Sequence, residues 1–278
     1  MPYVEESIST EGGARLYVRR KQTDTPLGEV ILVHGFGEHS GRYAAISDHL
    51  VKHGFNVTSY DLRGHGQSDG LPGHIDRFKY YEDDLDRIVS SVRSGLDPRN
   101  LFIIGHSLGG LVTLRFLAMR GSSVTGAVLS APLISVAVEV PAHKVMMARV
   151  GARLMPKLRL DNEIDPAHLS RDPEVGIAYA KDPLVNRLVS AKWFAEATKA
   201  MQEVVAWAGD IKTPLLVMHG TEDRLASVEA TKSLFEAVGS SDKELVILPG
   251  FYHEIFNEPE KETVYERVSD WLEAHLRR

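Results

Sequence analysis

Leu101-Phe102-Ile103-Ile104-Gly105-His106-Ser107-Leu108-Gly109-Gly110 joins a short apolar run to a serine set between glycines. Four consecutive apolar residues, two of them β-branched, read as a strand buried on both faces. The residues from Leu108 to Arg120 follow the helical period. A serine at such a junction is pushed out of the strand on a sharp turn. Side chains at positions 105 and 109 would clash there, and the start of the following helix turns an amide toward any negative charge that develops. Two glycines around a serine also occur in ordinary turns; the strand before this one and the helix after it give the pattern its meaning.

Further apolar, β-branched runs lie at 29–33, 56–60, 125–130, 214–218 and 244–248. Helical patterns at 41–53, 78–94, 108–120, 227–238 and 258–276 alternate with them. Continuous apolar strands separated by helices predict a parallel sheet covered on both faces. Ahead of them, 3–9 and 15–20 flank Gly12-Gly13 and predict an antiparallel hairpin, which makes the sheet mixed. The alternation stops after Ala131-Pro132 and resumes at Thr213-Pro214, leaving a mostly helical pattern without a strand signal. Length alone does not separate one domain from two. The organisation predicts one core from 1–132 and 213–278 and an inserted cap at 133–212. A serine elbow in this frame resembles the α/β-hydrolase fold: a mostly parallel central sheet with helices on both faces and an inserted helical cap.

Hydrophobic residues make up 43% of the 278 residues and charged ones 25%, enough apolar material for a real core. A formal charge of −6 gives no global attraction to nucleic acid or an anionic membrane. With no cysteine, a thiolate metal site or thiol nucleophile is excluded. No phosphate loop or dinucleotide fingerprint occurs, so no cofactor is implied. The N-terminus lacks a secretory pattern and no apolar run has membrane-spanning length, which predicts a cytoplasmic chain.

A second glycine-rich turn, His34-Gly35-Phe36-Gly37-Glu38-His39-Ser40-Gly41-Arg42-Tyr43, also follows a strand. It is either a simple helix-starting turn or the source of a second oxyanion donor, pairing the Phe36 N–H with the Leu108 N–H. Serine needs a base, and the fold orders serine, acid, histidine along the chain. Among the histidines after Ser107, only His253 lies in a loop directly after a late strand. His143 and His168 fall in the cap and His275 in the last helix; His219 closes a strand and is the rival, but it precedes the candidate acid. The acid comes from His219-Gly220-Thr221-Glu222-Asp223, where Asp223 is preferred over Glu222 because the loop resembles the fold's G-x-x-D turn. His49 and His53 have metal-pair spacing without the glutamate of H-E-x-x-H and read as a solvated helix face; no metal is expected. Asp61-Leu62-Arg63-Gly64-His65-Gly66-Gln67-Ser68 reads as a structural turn behind the site.

These residues together resemble the monoacylglycerol lipase family, whose members share H-G-x-G-E-H-S-x-R-Y, G-H-G-x-S, G-H-S-x-G-G and a late G-x-x-D…H. The similarity runs from about residue 28 to 274. It implies a serine hydrolase that releases fatty acid and glycerol through an acyl-enzyme on a Ser107, Asp223, His253 triad. It also implies that Glu38, Arg42 and Tyr179, the last before Asp182-Pro183, lie at the pocket for the glycerol head. For Glu38 and Arg42, pairing with each other or capping the helix is the structural alternative. Phe36 is bulkier than the residue some members use, which leaves head-group and chain-length preference open, and the cysteines that vertebrate members carry near the pocket are absent here. The alternatives are a general carboxylesterase or lysophospholipase with the same triad, or a noncatalytic lipid-binding protein of this fold. The expected partner is a small lipid ester, with no nucleic acid and no obligate protein. Within the cap, 140–160 carries Lys144, Arg149, Arg153, Lys157 and Arg159 interleaved with apolar residues. That stretch reads either as a pocket cover or as a surface for transient membrane contact.

Overall fold

The computed structural model describes residues 2–95, 100–137, 146 and 150–277. Strands β1 (Val4–Ser9), β2 (Arg15–Lys21), β3 (Gly28–Val33), β4 (Phe55–Tyr60), β5 (Leu101–His106), β6 (Gly126–Ser130), β9 (Leu215–Gly220) and β10 (Lys243–Leu248) form one sheet in the order β1-β2-β4-β3-β5-β6-β9-β10. From β4 to β10 every neighbour is parallel, while β2 pairs antiparallel with both β1 and β4. This is the α/β-hydrolase architecture, mixed because of the N-terminal hairpin.

The reason the strands read as unbroken apolar runs is visible in β3 and β5. Ile31, Val33, Leu101 and Ile103 join the core on one face, and Val30, Leu32, Phe102 and Ile104 join the core on the other. Helices α2 (Lys79–Gly95) and α3 (Leu108–Arg120) cover the first face; α1 (Ala44–Lys52) and α7 (Lys261–Ala274) cover the second. Burying each such side chain contributes roughly 1.5–3 kcal/mol, so the central strands are the best-anchored part of the chain. Catalytic candidates at their C-terminal ends inherit that rigidity.

The segment between β6 and β9, whose pattern reads as mostly helical with no strand signal, does contain strands. It contains α4 (Pro173–Lys181) and α5 (Ala191–Trp207), and also β7 (Arg159–Asp161) paired antiparallel with β8 (Leu188–Ser190). Three-residue strands carry too little periodicity to be read, and their partner lies far along the chain. Helix α5 starts where the Ser190 hydroxyl accepts the Trp193 N–H at 3.0 Å. It buries Trp193, Ala197, Ala200 and Val204 in the main core, and the Trp193 indole N–H donates to the Tyr81 hydroxyl at 3.1 Å. Of the basic stretch at 140–160, Lys144 and Arg149 lie outside the described residues. Nearby, Leu154 is 77% and Leu160 66% exposed.

Candidate active site

Ser107 sits where β5 ends and α3 begins, with φ 50° and ψ −114°. That left-handed backbone is costly for a serine and persists because the surroundings fix it. Its N–H donates to the Ser130 carbonyl and its own carbonyl accepts the Leu133 N–H, both at 3.0 Å. The glycines explain themselves: a Cβ on Gly105 would stand 2.5 Å from Thr113 Oγ1, and one on Gly109 would stand 2.1 Å from the Val33 carbonyl. The elbow therefore packs directly on the ends of β3 and α3.

Asp223 and His253 lie on the loops after β9 and β10. His253 Nδ1 and Asp223 Oδ2 are 2.7 Å apart. Because the carboxylate only accepts, His253 Nδ1 carries the hydrogen and Nε2 is left with a lone pair. The other oxygen, Oδ1, accepts the backbone N–H groups of Leu225 at 2.8 Å and Ala226 at 2.9 Å. Burial alone would raise the Asp223 carboxyl, but the neighbouring His253 charge and the hydrogen bonds from His219 and His253 hold it far below the ordinary range. Burial alone would lower His253; the Asp223 charge and hydrogen bond outweigh it, and His253 is raised above 6.5. Glu222, the alternative acid, is exposed. His143 lies outside the described residues, and His275 pairs with Asp242 at 3.2 Å.

As the base expected from the sequence, His253 must be neutral to accept a serine proton, and its raised value would then set the acid limb of activity. Activity is expected to be full at alkaline pH and to fall as pH drops through a midpoint above the free-imidazole 6.5. A pH profile of kcat/KM on a soluble ester measures this; a midpoint below 6 would mean that Asp223 does not charge the ring.

The Phe36 and Leu108 N–H groups donate to no protein acceptor among the described residues. Phe36 lines the cavity together with Ser107, and Leu108 follows Ser107 at the start of α3. The Phe36 loop is held from three directions. Asp61 Oδ1 accepts the Ser40 N–H and hydroxyl at 2.8 and 2.6 Å, which gives the Asp61–Ser68 turn its structural role. His39 Nε2 meets Asp182 Oδ2 at 2.9 Å, and the Gly37 carbonyl accepts the Asn186 N–H at 2.7 Å.

Glu38 is 3% exposed and both of its oxygens accept hydrogen bonds. Oε1 accepts the Gly35 N–H and the Tyr43 hydroxyl, each at 2.6 Å, and Oε2 accepts from Arg42 at 2.7 Å. Burial would raise this carboxyl, but Arg42 and the nearby His106 and His34 hold it at about 2. Arg42 also forks onto Glu254 at 2.6 and 2.9 Å and lies 5.0 Å over the Tyr179 ring. Sequence reasoning did not pick out Glu254; its only signal was its place beside His253.

A cavity of about 320 Å³ opens on Ser107, His253 and Phe36. Trp193, Phe194, Ala197 and Met201, on one side of α5, give it an apolar wall with Leu133 and Val189. Glu38, Tyr179, Glu254 and Asn162 supply polar lining, whereas Arg42 does not reach the cavity and stands behind it. The Tyr179 hydroxyl is buried without a hydrogen-bond partner among the described residues. Elsewhere, His49, His53 and Glu266 bring one ligand atom each within 4.8 Å. The two imidazoles are stacked, 4.3 Å apart with 26° between planes, so their in-plane lone pairs run side by side instead of meeting at one ion.

Residues 24–260 match the family described as serine aminopeptidase, S33. The chain is 34% identical to the monoacylglycerol lipase of Mycolicibacterium smegmatis over 274 residues, 98% of each chain. It is 30% identical to phospholipase YtpA of Bacillus subtilis over 257 residues, covering 92% of this chain and 98% of that one. The crystal structure of Paleococcus ferrophilus monoacylglycerol lipase superposes with a TM-score of 0.85 at 33% identity, covering 99% of this chain and all of that one.

Proposed function

The chain belongs to the serine aminopeptidase S33 family and is a carboxylic ester hydrolase, and on that footing we propose that it cleaves monoacylglycerols to fatty acid and glycerol through an acyl-enzyme on Ser107. The observation that carries this reading is the cavity at Ser107, where an apolar wall on α5 meets a polar cluster around Glu38 and Tyr179. An acyl chain with a small polyol head has that same division. Of the carboxylates on the cavity, Glu38 and Glu254 are bound up with Arg42, so neither is free to hold a peptide's ammonium group.

In this reaction Ser107 Oγ attacks the ester carbonyl while His253 Nε2 takes its proton. Asp223 holds the ring by Nδ1–H and stabilises the imidazolium, and the Phe36 and Leu108 N–H groups receive the oxyanion. His253 then protonates the departing glycerol oxygen, and water, deprotonated by the same ring, hydrolyses the acyl-enzyme. Residues 133–212 act as the cap over the core formed by 1–132 and 213–278. Among the described residues no helix is long and apolar enough to cross a membrane. The exposed Leu154 and Leu160 support transient contact of the cap with a lipid surface.

A panel of monoacylglycerols of graded acyl length, a lysophospholipid, a short nitrophenyl ester and an aminoacyl nitroanilide tests the assignment, with vesicle co-sedimentation run alongside. Monoacylglycerols are expected to lead, by about 10-fold or more in kcat/KM over the lysophospholipid. Fastest turnover of the lysophospholipid, as the relationship to a phospholipase allows, would transfer the assignment to that substrate. No sedimentation at low salt would remove the membrane contact.

A further inference from the structure

His219 is the penultimate residue of β9 and has no solvent exposure. Its Nε2 lies 2.9 Å from Asp223 Oδ2, the same oxygen that faces His253 Nδ1, and 3.3 Å from the Ala226 carbonyl. Both neighbours of Nε2 are acceptors, so Nε2 carries a hydrogen. Nδ1 lies 3.0 Å from the Thr231 hydroxyl on α6 (Val228–Ala237), a group that can donate to it. Both ring nitrogens of His219 thereby have hydrogen-bond partners.

We propose that His219 is a positioning residue for the triad acid: its Nε2–H fills the remaining lone pair of Asp223 Oδ2 and fixes the carboxylate plane against His253. The proposal rests on the reading of Ser107, Asp223 and His253 as the triad. Asp223 is then clamped by four donors: Leu225 and Ala226 N–H on one oxygen, His219 and His253 on the other. A buried carboxylate lacking one of these could rotate, and its charge would fall more fully on His253. The charged and titratable groups facing His253 are Asp223, Glu254 and Glu38, with the His106 ring 4.7 Å away. Only Asp223 among those carboxylates touches His219. A change at His219 therefore reaches His253 through that carboxylate.

The test compares His219→Leu, which removes the donor, with His219→Gln, whose side-chain amide can still donate. It uses a soluble nitrophenyl ester across pH, and Ser107→Ala and His253→Ala serve as controls. His219→Leu is expected to lower kcat about 10-fold with KM unchanged. Its acid limb should move to higher pH, because the less-compensated carboxylate stabilises the imidazolium. His219→Gln should stay within about 3-fold of the parent with its acid limb in place. Should His219→Leu fail to fold, the isosteric Thr231→Val weakens the same donation from the far side of the ring and is expected to move the acid limb in the same direction. A uniform loss at all pH values, equal in the leucine and glutamine variants, would overturn the proposal and make His219 a packing residue. Unchanged kcat and profile in His219→Leu, or in Thr231→Val, would overturn it as well. Activity surviving in Ser107→Ala or His253→Ala would instead overturn the triad reading beneath it.

Discussion

Ser107→Ala and Asp223→Asn are expected to abolish nearly all esterase activity in a protein that still folds, but for different reasons. Without the Ser107 hydroxyl no acyl-enzyme forms, and kcat should fall by about 10⁵–10⁶-fold, leaving what oxyanion stabilisation and binding provide. At position 223 the surroundings dictate how an amide would lie. Two backbone N–H groups point at Oδ1, so the asparagine oxygen takes that place and its NH₂ replaces Oδ2. That NH₂ faces His253 Nδ1, 2.7 Å away in the parent. Donor would meet donor, so His253 must move its hydrogen to Nε2, the nitrogen that should receive the serine proton. A loss of about 10⁴-fold is expected from this wrong tautomer. Turnover on a nitrophenyl ester, with circular dichroism to verify folding, measures both. If Asp223→Asn keeps most of its activity, the acid is misassigned and Glu222 is the next candidate.

Arg42→Ala should damage stability more than any other change at the polar end of the cavity. Arg42 is the cation shared by Glu38 and Glu254, which are 3% and 5% exposed. Removing it strands two carboxylates in a buried site, and breaking such a pair typically costs about 3–5 kcal/mol. The expected result is a large drop in Tm, together with similar losses of kcat/KM on monoacylglycerol and on a nitrophenyl ester, which has no glycerol head. Glu254 adjoins His253 and Glu38 accepts the N–H of Gly35, next to Phe36, so Arg42 ties the His253 loop to the Phe36 loop. A loss confined to monoacylglycerol, with Tm unchanged, would mean instead that Arg42 touches the substrate head directly. Arg42→Lys should rescue little, since a point charge cannot reproduce the fork onto Glu254.

The sequence alone determined what depends on neighbours along the chain. The sheet was legible because its central strands, covered on both faces, are continuous apolar runs such as Val30 to Val33 and Leu101 to Ile104. The elbow was legible because a strand must turn sharply into a helix within a few residues, and only glycine fits at 105 and 109. The order of serine, acid and histidine narrowed the partners for the same reason, since each stands at a strand end. Tertiary structure alone decided what depends on residues far apart. Glu38 and Arg42 stand four positions apart and pair as their spacing suggests, but Glu254 completes the pair from the other end of the chain. That third partner withdraws Arg42 from the cavity wall. The short strands β7 and β8 exist through pairing with each other, which three residues of local pattern cannot announce. His219 and His253 were rivals for one role when read along the chain. In the fold they meet at the same oxygen of Asp223, because a carboxylate has lone pairs for both, and no linear spacing encodes that convergence.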